Sequence, residues 1–304
     1  MLKVPDSLSY LCNMLNIQSV QALIQLIDDP DDHVYAHVHD QLKSYGPEAI
    51  PYLENSWESR DFGLLFQNRI ENLIHEIQFD DLKFLLQNWI DSEEKDLLKG
   101  AIIVARFQYP GLDESFIHNE IEKIRKDAWL ELSPSQTAFE KIVTFNKVFF
   151  DHHRFKGNAK SFHSPLNSYI NTVLETRKGN PLSLSLIYSV VAQSLKIPVY
   201  GVNLPNHFVL AYMDEHKINV MAGNTNPYGV LFYINAFSKG TIFQEKDIHQ
   251  FLEQIKLPAE RGFFEPCPNT KIIQRMLTNL ISAFQQVGNV DKVNELVILR
   301  NLFG

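Results

Sequence analysis

Near Asp151 the chain changes its periodicity, and that change limits what it can fold into. Upstream, apolar residues recur at helical spacing: Val34, Val38 and Leu42 stand four apart in DDHVYAHVHDQLKSYG. Leu23, Ile24, Leu26 and Ile27 fill QSVQALIQLIDD, which runs into the turn Asp29-Pro30-Asp31-Asp32. Gly46-Pro47 stops one helix and opens PEAIPYLENSWES, with proline in the first turn, where its missing N–H costs nothing. The amphipathic segments FGLLFQNRIENLIHEI, FDDLKFLLQNWI, KDLLKGAIIVARFQY and ESFIHNEIEKIRKDAWLEL follow. A single apolar stripe needs a neighbour to cover it, so stacked helical pairs are expected here.

Downstream the texture differs. HHRFKGNAKSFHSPLNSY is rich in Gly, Pro, Ser and Asn and reads as a loop, followed by the helix NSYINTVLETRKG. Asn180-Pro181 then supplies a cap and a first-turn proline for PLSLSLIYSVVAQSLK, which is apolar around most of its circumference and therefore buried. IPVYGVNLP, HFVLAYMD, KINVMAG and VLFYIN are short β-branched and aromatic runs, the pattern of an antiparallel sheet. His207 opens the second of them and Asn235 closes the last. TKIIQRMLTNLISAFQQVG and NVDKVNELVILRNLFG read as two helices parted at Gly288. The expected class is α+β: an all-α module over 1–133, a helix-against-sheet core over 134–265, and a helical pair over 266–304.

The balance of 28 Lys plus Arg against 36 Asp plus Glu leaves a net charge of −8, which argues against a nucleic-acid partner. Cys12 and Cys267 are too few for a disulfide framework, and neither has a CxxC partner for zinc. MLKVPDSLSYLCNML lacks the apolar block of a secretory leader, and no uncharged run is long enough for a membrane span, so a cytoplasmic location is expected. His33 and His37, four apart with His39 nearby, and Asp151-His152-His153 are metal-ligand types. A solvated helix face and a module junction account for them, and no metal is expected. Gly157-Asn158 lacks a G-x-G-x-x-G frame, so no cofactor is expected either. Arg154, Lys156 and Lys160, beside Phe155 and Phe162, could meet a phosphate or an acidic partner, and Glu175, Arg177 and Lys178 could line a cleft mouth.

Taken together, Asn167-Ser168-Tyr169, Arg177-Lys178-Gly179-Asn180-Pro181, the run from Gly201 to Phe208, and Ile234-Asn235-Ala236-Phe237 resemble the transglutaminase-like superfamily. That superfamily shares its core with papain-type thiol enzymes, and the resemblance is nearest to its bacterial invasion-regulator-type branch. It covers about residues 135–245. GPEAIPYLENSW further resembles the second helix of a HEAT-type repeat, and the last two helices resemble a tetratricopeptide-like end.

The resemblance implies a thiol at the start of the buried helix, where the macrodipole favours thiolate, a histidine on the neighbouring strand and an Asp or Asn to orient it. His207 falls at the histidine position and Asn235 at the orienter. Counted back from Ile197-Pro198, the nucleophile position holds Pro181, which has neither thiol nor hydroxyl. Ser183, in the same first turn, is the nearby nucleophile, and Asn180, Asn206 and Tyr169 are the expected cleft residues. Two readings follow. One is a non-catalytic binding or regulatory module for a protein or peptide partner. The alternative is a hydrolase or acyltransferase acting on an amide or ester through Ser183 and His207.

Overall fold

The computed structural model describes residues 17–58, 63–214 and 228–304. Cys12 and the expected strand KINVMAG (217–223) lie outside them. The chain divides into two compact units, one ending at Leu85 and one running from Leu86 to Gly304.

The first unit is helical: α1 (Ile17–Gln25), α2 (Asp32–Ser44), α3 (Ile50–Trp57) and most of α4 (Leu64–Asp91). The Asp31 carboxylate caps α2 by accepting the His33 N–H at 2.8 Å. Val38 and Leu42 are buried with Val20, Ile24, Leu53, Phe66 and Ile70, while Val34 packs partly buried at the margin. FGLLFQNRIENLIHEI and FDDLKFLLQNWI are parts of one helix, α4, because no glycine or proline separates them. Asp80, at that join, pairs with Lys43 and Lys83 instead of starting a new helix.

The second unit begins with α5 (Leu97–Arg106), α6 (Glu114–Glu131) and α7 (Ala138–Asn146). α7 opens with a capping box between Thr137 and Glu140 and passes into a π segment, Lys147–His152. The loop that follows contributes β1 (Lys156–Gly157), which pairs in parallel with β2 (Lys178–Gly179), beyond α8 (Ile170–Thr176). Then comes α9 (Pro181–Ser194), and β3 (Val199–Val202), β4 (Val209–Met213), β5 (Val230–Asn235) and β6 (Thr241–Phe243) form an antiparallel sheet in sequence order. The chain ends in α10 (Glu245–Gln254), α11 (Asn269–Gln286) and α12 (Val290–Asn301). Gly288, at φ +74°, makes the turn between the last two.

α9 explains its own composition. It packs against β3 and β4 as well as α5, α6 and α8, and of its fourteen residues eleven are buried. The other face of the sheet is covered as well: Val202, Val209, Ala211 and Tyr233 share a core with Ile248 and Leu252 of α10 and with Phe264. A sheet buried on both faces needs apolar residues at successive positions, which is why VLFYIN does not alternate with polar residues. The arrangement is α+β with helical flanks, as the residue patterns indicate.

Candidate functional site

The start of α9 lies at the wall of a cavity of about 600 Å³. Asn180, Pro181 and Leu182 form one side, the Pro205–Phe208 turn into β4 another, and Arg275, Asn279 and Ser282 of α11 a third. Phe162 and His163 of the loop before α8 complete the rim.

The first turn of α9 is closed on itself. Asn180 Oδ1 accepts the Ser183 N–H at 2.9 Å, and Ser183 Oγ accepts the Asn180 N–H at 3.0 Å. Pro181 has no N–H to offer. In a thiol enzyme the first amides of this helix are the donors that would face an oxyanion. Here one is missing and another is already bonded.

Ser183 is buried, and its hydroxyl donates to the Asn167 carbonyl at 2.6 Å. It does not line the cavity, and no hydrogen bond joins it to His207. The pull comes from Asn167, whose Nδ2 donates to the Ser161 and Phe162 carbonyls and whose Oδ1 accepts from Asn158. Asn180 Nδ2 extends this network to Ser168 Oγ at 2.9 Å. Ser183→Ala removes a buried partner of both Asn167 and Asn180 and is expected to cost about 1–3 kcal/mol of stability. Urea denaturation of the variant measures it, and an unchanged midpoint would contradict the structural role of the hydroxyl.

His207 does line the cavity, half-buried, with its ring centroid 6.1 Å from that of Phe251. Its backbone N–H donates to the Leu204 carbonyl at 3.2 Å, while its ring nitrogens have no hydrogen-bond partner among the described residues. Burial alone holds its pKa below the ordinary imidazole value. The unfolded chain therefore binds this proton more readily than the folded one. Stability falls as pH drops from about 6.5 toward the lowered folded-state value, while above that window His207 adds no pH dependence. His207→Gln is expected to flatten the acid limb of a stability-against-pH curve between these limits. An equally steep limb in the variant would rule His207 out as a contributor.

Asn206, at φ 56°, lines the cavity in the left-handed region that asparagine tolerates. Asn235 closes β5 and turns its Oδ1 to the Ser238 N–H at 3.2 Å, away from the cavity lining. Tyr169 is buried edge-on against Tyr109, with ring centroids 5.6 Å apart, and burial raises its phenol far above the ordinary range. Cys267 lies beside β3, its N–H donating to the Gly201 carbonyl at 2.9 Å, and burial pushes its thiol up to about 11. Among the described residues no cysteine lines the cavity.

Sequence reasoning passed over Arg275. Its Nη1 donates to Asn203 Oδ1 at 3.2 Å and its Nε to Asn279 Oδ1 at 3.4 Å, both neutral acceptors. No carboxylate among the described residues pairs with it, whereas Arg106, Arg125, Arg177 and Arg261 each have one. Burial lowers its pKa, and no neighbouring charge offsets that. A signal was present. Between Asp151 and Asp214 the chain has one acidic residue, Glu175, and between Glu265 and Asp291 it has none. These are the stretches that build the cavity, in a chain whose net charge is −8.

A model of the transglutaminase-like superfamily matches residues 115–278, more than half of the chain. The chain belongs to the transglutaminase-like superfamily. The match takes in the helix–sheet core and every wall of the cavity up to Thr278. Among curated proteins, it is similar to a UPF0162 protein of Xylella fastidiosa (strain 9a5c), 28% identical over 217 residues, which cover 67% of this chain and 70% of that one. It is also similar to F-box only protein 21 of Mus musculus, 30% identical over 240 residues covering 72% of this chain and 36% of that one. A UPF0162 protein of Vibrio cholerae is 26% identical over 198 residues. No solved structure matches the chain. No helix of the described residues is long and apolar enough to cross a membrane.

Proposed function

We propose that this transglutaminase-like chain is a non-catalytic binding module whose cleft receives an acidic group of a protein or peptide partner. One observation carries the reading: Arg275 stands half-buried at the cleft wall, and its hydrogen-bond partners among the described residues are neutral amide oxygens. A desolvated guanidinium is stabilised by a bidentate carboxylate, and none is supplied from within the described chain. Pro181 and the closed first turn of α9 support the non-catalytic part, since the Ser183 hydroxyl there is buried and bonded to the Asn167 carbonyl and few donors are free. Similarity to one stretch of the longer F-box only protein 21 fits a core used as a module within other chains. The same reading assigns the chain to the invasion-regulator-type branch, on the phrases Arg177–Pro181 and Gly201–Phe208.

The test is a titration of fluorescent peptides that differ only in Asp or Glu against Asn or Gln. Acidic peptides bind at least about tenfold more tightly, a charged hydrogen bond being worth about 1.5–3 kcal/mol. Arg275→Met erases that preference. Equal binding of the neutral peptides, or an unchanged preference in Arg275→Met, overturns the reading. So does hydrolysis of an ester or amide panel that disappears in His207→Ala.

A further inference from the structure

Helix α6 and the π segment meet at a second cluster that shares no residue with the cleft. His153 Nε2 lies 2.9 Å from Asp127 Oδ2, and His152 Nε2 lies 3.5 Å from the same oxygen. The three donor atoms lie within 4.8 Å of one another. Successive residues of an α-helix point about 100° apart, so neighbouring histidines on one do not share a target. The wider π turn alters this: the His153 N–H reaches back five residues to the Val148 carbonyl at 2.9 Å, and both imidazoles converge on Asp127.

We infer that Asp127, His152 and His153 form a binding site for a zinc-type divalent ion. Two imidazole nitrogens and one carboxylate oxygen are the donors such an ion prefers, whereas Mg²⁺ and Ca²⁺ require mainly oxygen. Bonds of about 2.0–2.1 Å to a tetrahedral ion place its ligands about 3.3 Å apart. The separations of 2.9 and 3.5 Å from Asp127 fall on either side of that value, and with all three donors within 4.8 Å of one another, side-chain adjustments of at most about 1.5 Å admit the ion. His153 is buried and gives the site a fixed wall, while His152 is exposed. Asp127 and His152 face a cavity of about 530 Å³, which Glu131, one turn beyond Asp127, also lines. Three protein ligands thus leave a fourth position open to water, to Glu131 or to an external ligand.

The test uses the full chain, stripped with a chelator and titrated with Zn²⁺ by calorimetry, with thermal unfolding followed in parallel. One equivalent binds and raises the melting temperature. His152→Ala, whose side chain is exposed, and Asp127→Asn each weaken binding at least about tenfold, the loss that removing even a supporting outer ligand causes. His33→Ala/His37→Ala leaves it unchanged. Co²⁺ in place of Zn²⁺ gives the strong visible absorption of a four-coordinate site in the wild type and loses it in His152→Ala. Absence of stoichiometric uptake, or His152→Ala and Asp127→Asn variants that fold and bind like the wild type, overturns the assignment.

Discussion

Phe149→Ala is expected to lower the free energy of unfolding by about 3–5 kcal/mol, the range for deleting a fully buried phenylalanine. Phe149 is the centre of an aromatic cluster. Its ring stacks on Phe155 at 4.3 Å and meets Phe150 and Tyr188 edge-on at 5.0 and 5.2 Å. Phe145 completes the group from α7. These rings join the π segment to α9, so the cavity left by truncation is walled by rigid elements that cannot collapse into it. Phe149→Leu keeps most of the volume and is expected to cost under half as much. Guanidinium denaturation of both variants measures the difference. A Phe149→Ala loss under 1 kcal/mol would show that the cluster is not the joint described here.

Gly240→Ala is expected to be nearly as damaging, at about 3 kcal/mol or more, from a left-handed backbone cost of about 1–2 and the loss of buried hydrogen bonds. Gly240 has φ +70°, and a Cβ there would stand 2.1–2.5 Å from three atoms of the Asn146 amide. That amide cannot yield without loss: its Nδ2 donates to the Gly240 carbonyl and its Oδ1 accepts from the buried Tyr188 hydroxyl, each at 2.9 Å. Moving it strands a phenol inside the core and frees the β5–β6 turn from α7. A thermal melt of Gly240→Ala within 2 °C of wild type would mean that the turn can shift without cost.

The parts of this fold that local chemistry dictates were legible in the chain. Asn180-Pro181 marked the start of α9 because a cap and a first-turn proline act over three residues. VLFYIN marked β5 because its β-branched and aromatic residues suit a strand covered on both faces. Gly288 marked the break between α11 and α12. Features set by contacts distant in sequence were not legible. FGLLFQNRIENLIHEI and FDDLKFLLQNWI read as two segments, yet they form one helix in which Asp80, at the join, pairs with Lys43, thirty-seven positions earlier. Ser183 stood in a nucleophile's neighbourhood, but the carbonyl that holds it belongs to Asn167, sixteen residues away. The convergence of Asp127 on His152 and His153 depends on a π turn, which leaves no repeat in the sequence. Arg275 resembled an ordinary charge on the polar side of an amphipathic helix, and only its surroundings distinguish it from the paired arginines.

The fastening of the loop before α8 by one asparagine has a consequence for whatever docks beside it. Asn167 bonds to Asn158, Ser161, Phe162 and Ser183, so the Phe162–Ser168 rim keeps little conformational freedom to lose on capture. Such a pre-formed rim lets contact energy appear as affinity instead of being spent on ordering the loop. Asn167→Ala, by loosening it, is expected to speed ligand departure far more than it slows arrival.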